Sequence, residues 1–181
     1  MTEAELIQNC KNQHAGSQKL LYNMYAGKML SVCMRYINDK SEAEDVLQEG
    51  FIKIFAHIIH FRGDGSFEGW MRRIFVNTAL SVLRTKQLKF VDSIDHHLNF
   101  TSVEPSVFDK IGSQEIFELV RSLPNGYRVV FNLFAIEGYS HKEIADMLNI
   151  TESTSRTQFL KARNVLKEKL LKKQLMKITH E

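Results

Sequence analysis

The stretch from Tyr139 to Leu171 constrains this chain more than any other. Ser140 followed three residues on by Glu143 is a capping box: the hydroxyl takes an orphan amide at a helix start, and the carboxylate returns to the cap's own amide. Ile144, Ala145 and Leu148 then give a short helix one apolar face, and Asn149 suits the left-handed residue that ends it. Ile150 is predicted to re-enter the core, with a second helix starting near Thr151 or Glu152. Along that helix Ser155, Phe159, Ala162, Leu166 and Leu170 recur at helical spacing and predict a buried stripe. Off the stripe lie Arg156, Lys161, Arg163, Lys167, Lys169, Lys172, Lys173 and Lys177, against the single acid Glu168. Ser153, Thr154, Thr157 and Gln158 crowd its beginning.

Two helices so joined, the second cationic with a small polar tip, have the layout of a helix-turn-helix. Its second helix offers N-terminal residues to base edges in a major groove. The competing reading is a solvated basic helix in a bundle, which charge alone would favour. The cap, the turn and the polar tip decide for the DNA reader. Upstream, a helix is predicted from about Ser113 to Ser122. A second follows Leu123-Pro124, proline being tolerated in a first turn. Tyr127, Val130, Phe131, Phe134 and Ile136 are its apolar set, and Gly138 its stop. The expectation is a small all-α domain over about 113–175.

Charge is partitioned along the 181 residues. The whole chain is only +3, yet residues 1–90 carry net +3, residues 91–118 net −5 and residues 119–181 net +5. Two basic blocks separated by an acidic one suggest two nucleic-acid-facing domains and a connector. With two prolines and nine glycines, most of the chain is free to be helical. Cys10 and Cys33 lack metal-ligand spacing, which fits a reduced cytoplasmic protein. No leader is legible at the start, and no apolar run reaches bilayer length, so no membrane insertion is expected.

In the first block, Thr2 with Glu5 predicts a helix almost from the start. Residues 17–37 continue as helix with Leu20, Leu21, Met24, Met29, Leu30, Val32 and Cys33 as its apolar face; Asn38 and Asp39 end it. Ser41 with Glu44 reads as a further capping box opening a helix to about His60, cored by Ala43, Leu47, Phe51, Ile54 and Ile58. Glu42, Asp45 and Glu49, with Gln48, share another face. Acids in a first turn answer the helix dipole, but Asp45 and Glu49 extend past that need. They suggest a docking strip for a basic protein partner, against the simpler reading of a solvated face. Residues 61–66, FRGDGS, break the helix, and Ser66 caps the next, FEGWMRRIFVNTALSVLRTKQLKF. There Phe67, Met71, Ile74 and Phe75 face inward. Trp70 interleaves with Arg72, Arg73, Asn77, Arg84, Lys86 and Lys89. Rings among cations suit single-stranded DNA, whose bases stack while cations track phosphates. A core or capping role for Trp70 stays open beside that reading.

Residues 91–112 lose helical periodicity and read as a flexible linker. His96 and His97 are adjacent and do not share a helix face, so they make no metal pair. No acid–base–nucleophile set is present, so neither catalysis nor a cofactor is expected.

SEAEDVLQEGFIKIF, FEGWMRRIFVNTALSVLR and the block from Leu123 to Leu170, in that order and spacing, resemble the extracytoplasmic-function sigma factors. The likeness covers roughly residues 17–90 and 113–171. It implies an all-α fold of two small helical domains. The N-terminal domain, 1–90, would bind core polymerase and melt the minus-ten element; 91–112 would link it to a C-terminal helix-turn-helix domain, 113–181, reading the minus-thirty-five element. Carried over by position, it assigns Asp45, Gln48 and Glu49 to the clamp helices of polymerase's beta-prime subunit. The loop Phe61, Arg62, Gly63, Asp64 and Ser66 would hold an unstacked base, with Trp70, Arg73 and Asn77 in the melting segment. Ser153, Arg156, Thr157 and Lys161 would meet the upstream element, and Arg163 and Lys167 its phosphates. Control by an anti-sigma factor is the family habit. Three residues depart from the pattern. Gly50 replaces the usual aliphatic and predicts a looser helix. Ser81 stands where aspartate is frequent. Ser155 replaces a common valine on the buried stripe and bears on how deeply the helix seats. Two other classes fit less well: a regulator with an N-terminal receiver, whose alternating strands are missing from residues 1–90, and a nucleic-acid-processing enzyme, for which the sequence offers no catalytic set.

Overall fold

Helix-favouring residues and local caps lay out the backbone before any long-range packing is considered. The computed structural model describes residues 1–85 and 113–179, with side chains described over 1–85 and 115–173. The connector predicted at 91–112, Lys86, Lys89 and the His96–His97 pair lie outside them. Chain contacts cluster into two units, Met1–Gln87 and Leu88–Glu181. Among the described residues all regular structure is helical, and no helix is long and apolar enough to cross a membrane.

The first unit contains α1 (Glu3–Lys11), α2 (Ala15–Tyr36), α3 (Lys40–His57) and α4 (Phe67–Thr85), with a single tight turn at Ile58–His60. The Thr2–Glu5 capping box opens α1. Helix α2 starts two residues earlier than the apolar pattern predicts, because the His14 ring accepts the Ser17 amide. Its buried face keeps Leu21, Met29, Val32 and Cys33 of the predicted set but is narrower than predicted. Leu21, Tyr25, Met29, Val32, Cys33 and Tyr36 are inside, while Leu20 and Met24 are exposed. The apolar pattern in sequence is wider than this face; packing against α3 and α4 together selects it. Helix α3 is capped by Asp39, which accepts the Glu42 amide, and not by Ser41. Glu44 pairs with Lys40 instead. Asp39 is the better cap and sits one residue before the helix.

The predicted α3 stripe of Ala43, Leu47, Phe51, Ile54 and Ile58 is buried throughout. Gly50 does not loosen it. A Cβ at Gly50 would lie 2.1 Å from the nearest carbon of the Phe75 ring. The missing side chain is therefore what lets α4 seat a fully buried phenylalanine against α3. Phe51 closes the cluster, its centroid 5.3 Å from Phe75 and 4.7 Å from Tyr22.

The second unit contains α5 (Ser113–Arg121), α6 (Asn125–Phe131), α7 (His141–Leu148) and α8 (Glu152–Thr179). Pro124 stands at the α6 cap. Helix α6 does not run unbroken to Gly138: a π turn at Asn132–Ile136 follows it. The extra residue rotates the pattern. Val129, Val130 and Leu133 are buried, and Ile136, predicted inside, is exposed. Arg128, which no apolar pattern selects, is also buried. It donates to the Arg121 carbonyl at 3.2 Å and to Asn125 Oδ1 at 2.8 Å, tying the end of α5 to the start of α6. Burial lowers its guanidinium pKa. Val120, Leu123, Ala162 and Leu166 make the core between α5 and α8. Lys169 reaches the Ser122 carbonyl, and Lys173 pairs with Glu115, fastening the same two helices.

Candidate nucleic-acid interfaces

On α3, positions three and four apart fall on one face, so Asp45, Gln48 and Glu49 line up. All three are exposed. Glu49 pairs with Lys53 at 2.6 Å, and Lys53 also reaches Thr78 Oγ1. Among the described residues Asp45 has no cation beside it. The same face continues toward the helix C-terminus as Ile52, Ala56 and Ile59, exposed apolar residues that sequence reasoning passed over. Their spacing from Glu49 was the available signal.

The end of α3, the loop and the start of α4 enclose a cleft of about 370 Å³. It is lined by His60, Phe61, Arg62, Asp64, Gly65, Ser66, Gly69, Trp70 and Arg73. The volume is at the small end of the roughly 300–1,000 Å³ usual for single-ligand clefts. The loop backbone needs its glycines: Gly63 has φ +85° and Gly65 φ +119°, values side chains rarely adopt. Ser66 accepts the Gly69 amide at 3.0 Å and so starts α4. A side chain at position 69 would crowd that hydroxyl, its Cβ 2.8 Å away. The aromatic wall is built from within. Phe67, buried, stacks against Trp70 at 5.6 Å and meets Phe61 edge-on at 5.1 Å; Phe61 and Trp70 lie 5.5 Å apart. Trp70 is thus both a packing residue and part of the cleft wall.

Of the predicted loop and melting residues, the cleft brings together Phe61, Arg62, Asp64, Ser66, Trp70 and Arg73. Gly63 shapes the loop without lining the cleft. Asn77 is exposed one helical turn beyond Arg73, also outside it. Gly65, within the predicted loop, lines the cleft too, and His60 and Gly69 are lining residues that the sequence reading left out.

In the second unit the Ser140–Glu143 capping box and the left-handed Asn149 (φ 54°) form as the spacing predicts. Thr151 then accepts the Thr154 amide at 3.0 Å to open α8. The stripe of Ser155, Ala162, Leu166 and Leu170 is buried and Phe159 half-buried, which turns Ser153, Arg156, Thr157 and Arg163 outward. Lys161 and Lys167 are half-buried, their stems on the helix flank. Gln158 is not part of the polar tip; it is buried beneath Gly126. Arg156 forms an ion pair with Glu152 one turn back. An exposed pair of this kind contributes little, typically under about 1 kcal/mol, so Arg156 is readily released to another acceptor.

Ser155 has a partner that the sequence did not disclose. His141 Nδ1 lies 2.9 Å from its hydroxyl, inside the unit, and the imidazole stacks on Phe134 at 4.3 Å. The π turn presents Phe134 to that ring. Burial, with Arg156 nearby, lowers the His141 pKa, while Glu152 acts the other way. The joint between α7 and α8 is therefore a polar contact in an aromatic setting, and α8 seats on the core despite the small residue.

Residues 21–88 match the family described as Sigma-70 region 2, and residues 113–166 match Sigma-70, region 4. The ECF RNA polymerase sigma-E factor of Escherichia coli K12 is 30% identical over 183 residues, covering 94% of this chain and 95% of that protein. The RNA polymerase sigma-H factor of Pseudomonas aeruginosa is 28% identical over 180 residues, covering 93% of each. In fold, the chain resembles the Bartonella quintana sigma factor RpoE, solved with the anti-sigma factor NepR. The TM-score is 0.51 at 21% identity, over 85% of this chain and 96% of that one. A chain whose described residues fold only into helices, with a helix-turn-helix, and that is related over nearly its full length to such factors, belongs to the extracytoplasmic-function sigma factors, which direct RNA polymerase to specific promoters and initiate transcription.

Proposed function

We propose a division of labour within that activity. Residues 1–90 hold core polymerase and capture the melted minus-ten strand, 91–112 act as the link, and 113–181 read the upstream element. Asp45, Gln48 and Glu49 dock on the beta-prime clamp helices, with exposed Ile52 and Ile59 extending the contact. Phe61, Arg62, Gly63, Asp64 and Ser66 receive one extruded base beside Trp70, while Arg73 and Asn77 follow the strand. Ser153, Arg156, Thr157 and Lys161 face the groove, and Arg163 and Lys167 its phosphates. An anti-sigma factor holds the protein inactive; the support is the Bartonella neighbour, solved with such a partner.

The observation that carries the reading is the cleft: one aromatic wall, cations at its rim and room for one small ligand. Extrusion costs a few kcal/mol, and base–aromatic stacking contributes about 1–3 kcal/mol in return. Trp70→Ala should weaken binding of reconstituted holoenzyme to fork-junction DNA, which ends in a single-stranded minus-ten overhang, by roughly 5- to 100-fold. Binding to fully duplex upstream DNA should stay unchanged. Equal losses on both DNAs would remove Trp70 from strand capture.

A further inference from the structure

Helix α1 lies outside the segment matched to the region 2 family, which begins at residue 21. It nevertheless touches the cleft. Lys11, in its last turn, donates from Nζ to the Phe61 carbonyl at 2.8 Å, a contact spanning fifty residues of sequence. Phe61 is where the loop leaves the tight turn, and its ring faces Trp70. Among the described residues, Lys11 is the one side chain from outside residues 58–66 that hydrogen-bonds that segment. The rest of the loop, from Arg62 to Ser66, is exposed. Two positive-φ glycines give it a shape but no anchor.

Lys11 is itself held in place. Leu6 and Cys10 bury the inner face of α1. The Tyr25 hydroxyl donates to Glu3 at 2.8 Å, fixing the other end of the helix to α2. Tyr25 in turn meets Phe67, the ring beneath Trp70. The charged bond at Phe61 thus joins a docked helix to the mouth of the cleft.

We propose that Lys11 is a positioning residue for strand capture: it fixes the Phe61 backbone so that the loop is preformed when a base is extruded. This rests on the reading of the cleft given above. Preforming the loop spares the ordering cost that binding would otherwise carry. Lys11 touches the loop's backbone and no base, so its effect concerns how well any base is held.

The test uses holoenzyme and a fork-junction DNA selected from a randomised pool by the wild-type protein. Each overhang base is replaced in turn by an abasic site. Wild type should lose affinity chiefly at one position, that of the captured base, and Trp70→Ala should abolish that dependence. Lys11→Met, which keeps the aliphatic stem, should bind the intact fork about 3- to 10-fold less tightly. Its penalty should shrink on the fork abasic at the captured position, and Lys11→Arg should restore binding. Lys19→Met removes an exposed cation from α2 without touching Phe61, and should leave fork binding unchanged. Equal loss by Lys11→Met on intact and abasic forks, no loss at all, or a matching loss from Lys19→Met would overturn the proposal while the cleft reading survived. Absence of any position-specific abasic penalty in wild type would overturn both.

Discussion

The two proposed DNA-facing sites are built in opposite ways. The cleft of the first unit is concave and aromatic, and its loop takes its shape from glycines at positive φ. The tip of α8 is convex and polar, its side chains turned out by a buried stripe and its backbone fixed by two local caps. A concave aromatic site can offset the cost of unstacking a base; a convex polar helix reads edges of a duplex that stays closed. On the proposed reading, that difference matches opening to one unit and address to the other. It also predicts that damage to each will be seen on different DNA.

The largest expected effect separates polymerase binding from both. Asp45 is exposed, with no cation beside it among the described residues, so Asp45→Arg should leave folding intact and eliminate binding to core polymerase in a pull-down. Intrinsic affinity of the free protein for duplex upstream DNA should be unaffected. Retained core binding would take the α3 strip out of the interface.

Arg156→Ala addresses the other unit. If Arg156 reads a base edge, the cost should be about 1–3 kcal/mol on the preferred upstream sequence and much less on others. Fork-junction DNA lacking the upstream element should show no change. A uniform loss across sequences would make Arg156 a phosphate contact. Glu152 sharpens the point: Glu152→Gln frees Arg156 from its ion pair and should strengthen duplex binding modestly, by less than about 1 kcal/mol.

Both capping boxes with a threonine or serine directly before the helix were legible in sequence, because four consecutive residues decide them. The third was misread because Asp39, two residues upstream of Ser41, starts the helix first by accepting the Glu42 amide, leaving Ser41 inside it. The α8 surface was legible too, since its stripe fixes which side chains turn out. What the sequence hid was tertiary. Gly50 looked like a weak point in α3 and is the seat of Phe75. Arg128 falls in no apolar pattern and is buried where α5 ends and α6 begins, donating to the Arg121 carbonyl. Most of the cleft's residues were named, but Lys11, which bonds the Phe61 carbonyl, comes from a helix that no periodicity connects to the loop.

Gly50→Ala tests the first of these. Alanine favours a helix interior by about 1 kcal/mol over glycine. The Phe75 ring has no space for the added carbon, and overpacking of a core costs about 1–3 kcal/mol. Net destabilisation of the first unit is expected in denaturant melts, with duplex binding by the second unit unchanged. A stabilised variant would show that Phe75 moves freely.

The smallest effect concerns the α7–α8 joint, and its sign follows from burial. His141 has a pKa below the ordinary value of 6.5, so between the folded and unfolded values the unfolded chain holds more protons. The stability of the neutral ring is complete above pH 6.5 and drains as pH falls toward the lowered folded value. Arg156 and Glu152 face the ring with opposite influences, Arg156 the stronger. His141→Gln keeps a polar group opposite Ser155 but does not titrate. Followed by NMR through the α7 amides of the full chain, wild type should melt earlier at pH 5.5 than at pH 7.5, and His141→Gln should flatten that dependence. The cleft, which lies in the other unit, should show the same melting in both proteins. A slope that survives in His141→Gln would assign the acid sensitivity elsewhere, and the joint would then differ from the cleft in shape and polarity but not in its response to pH.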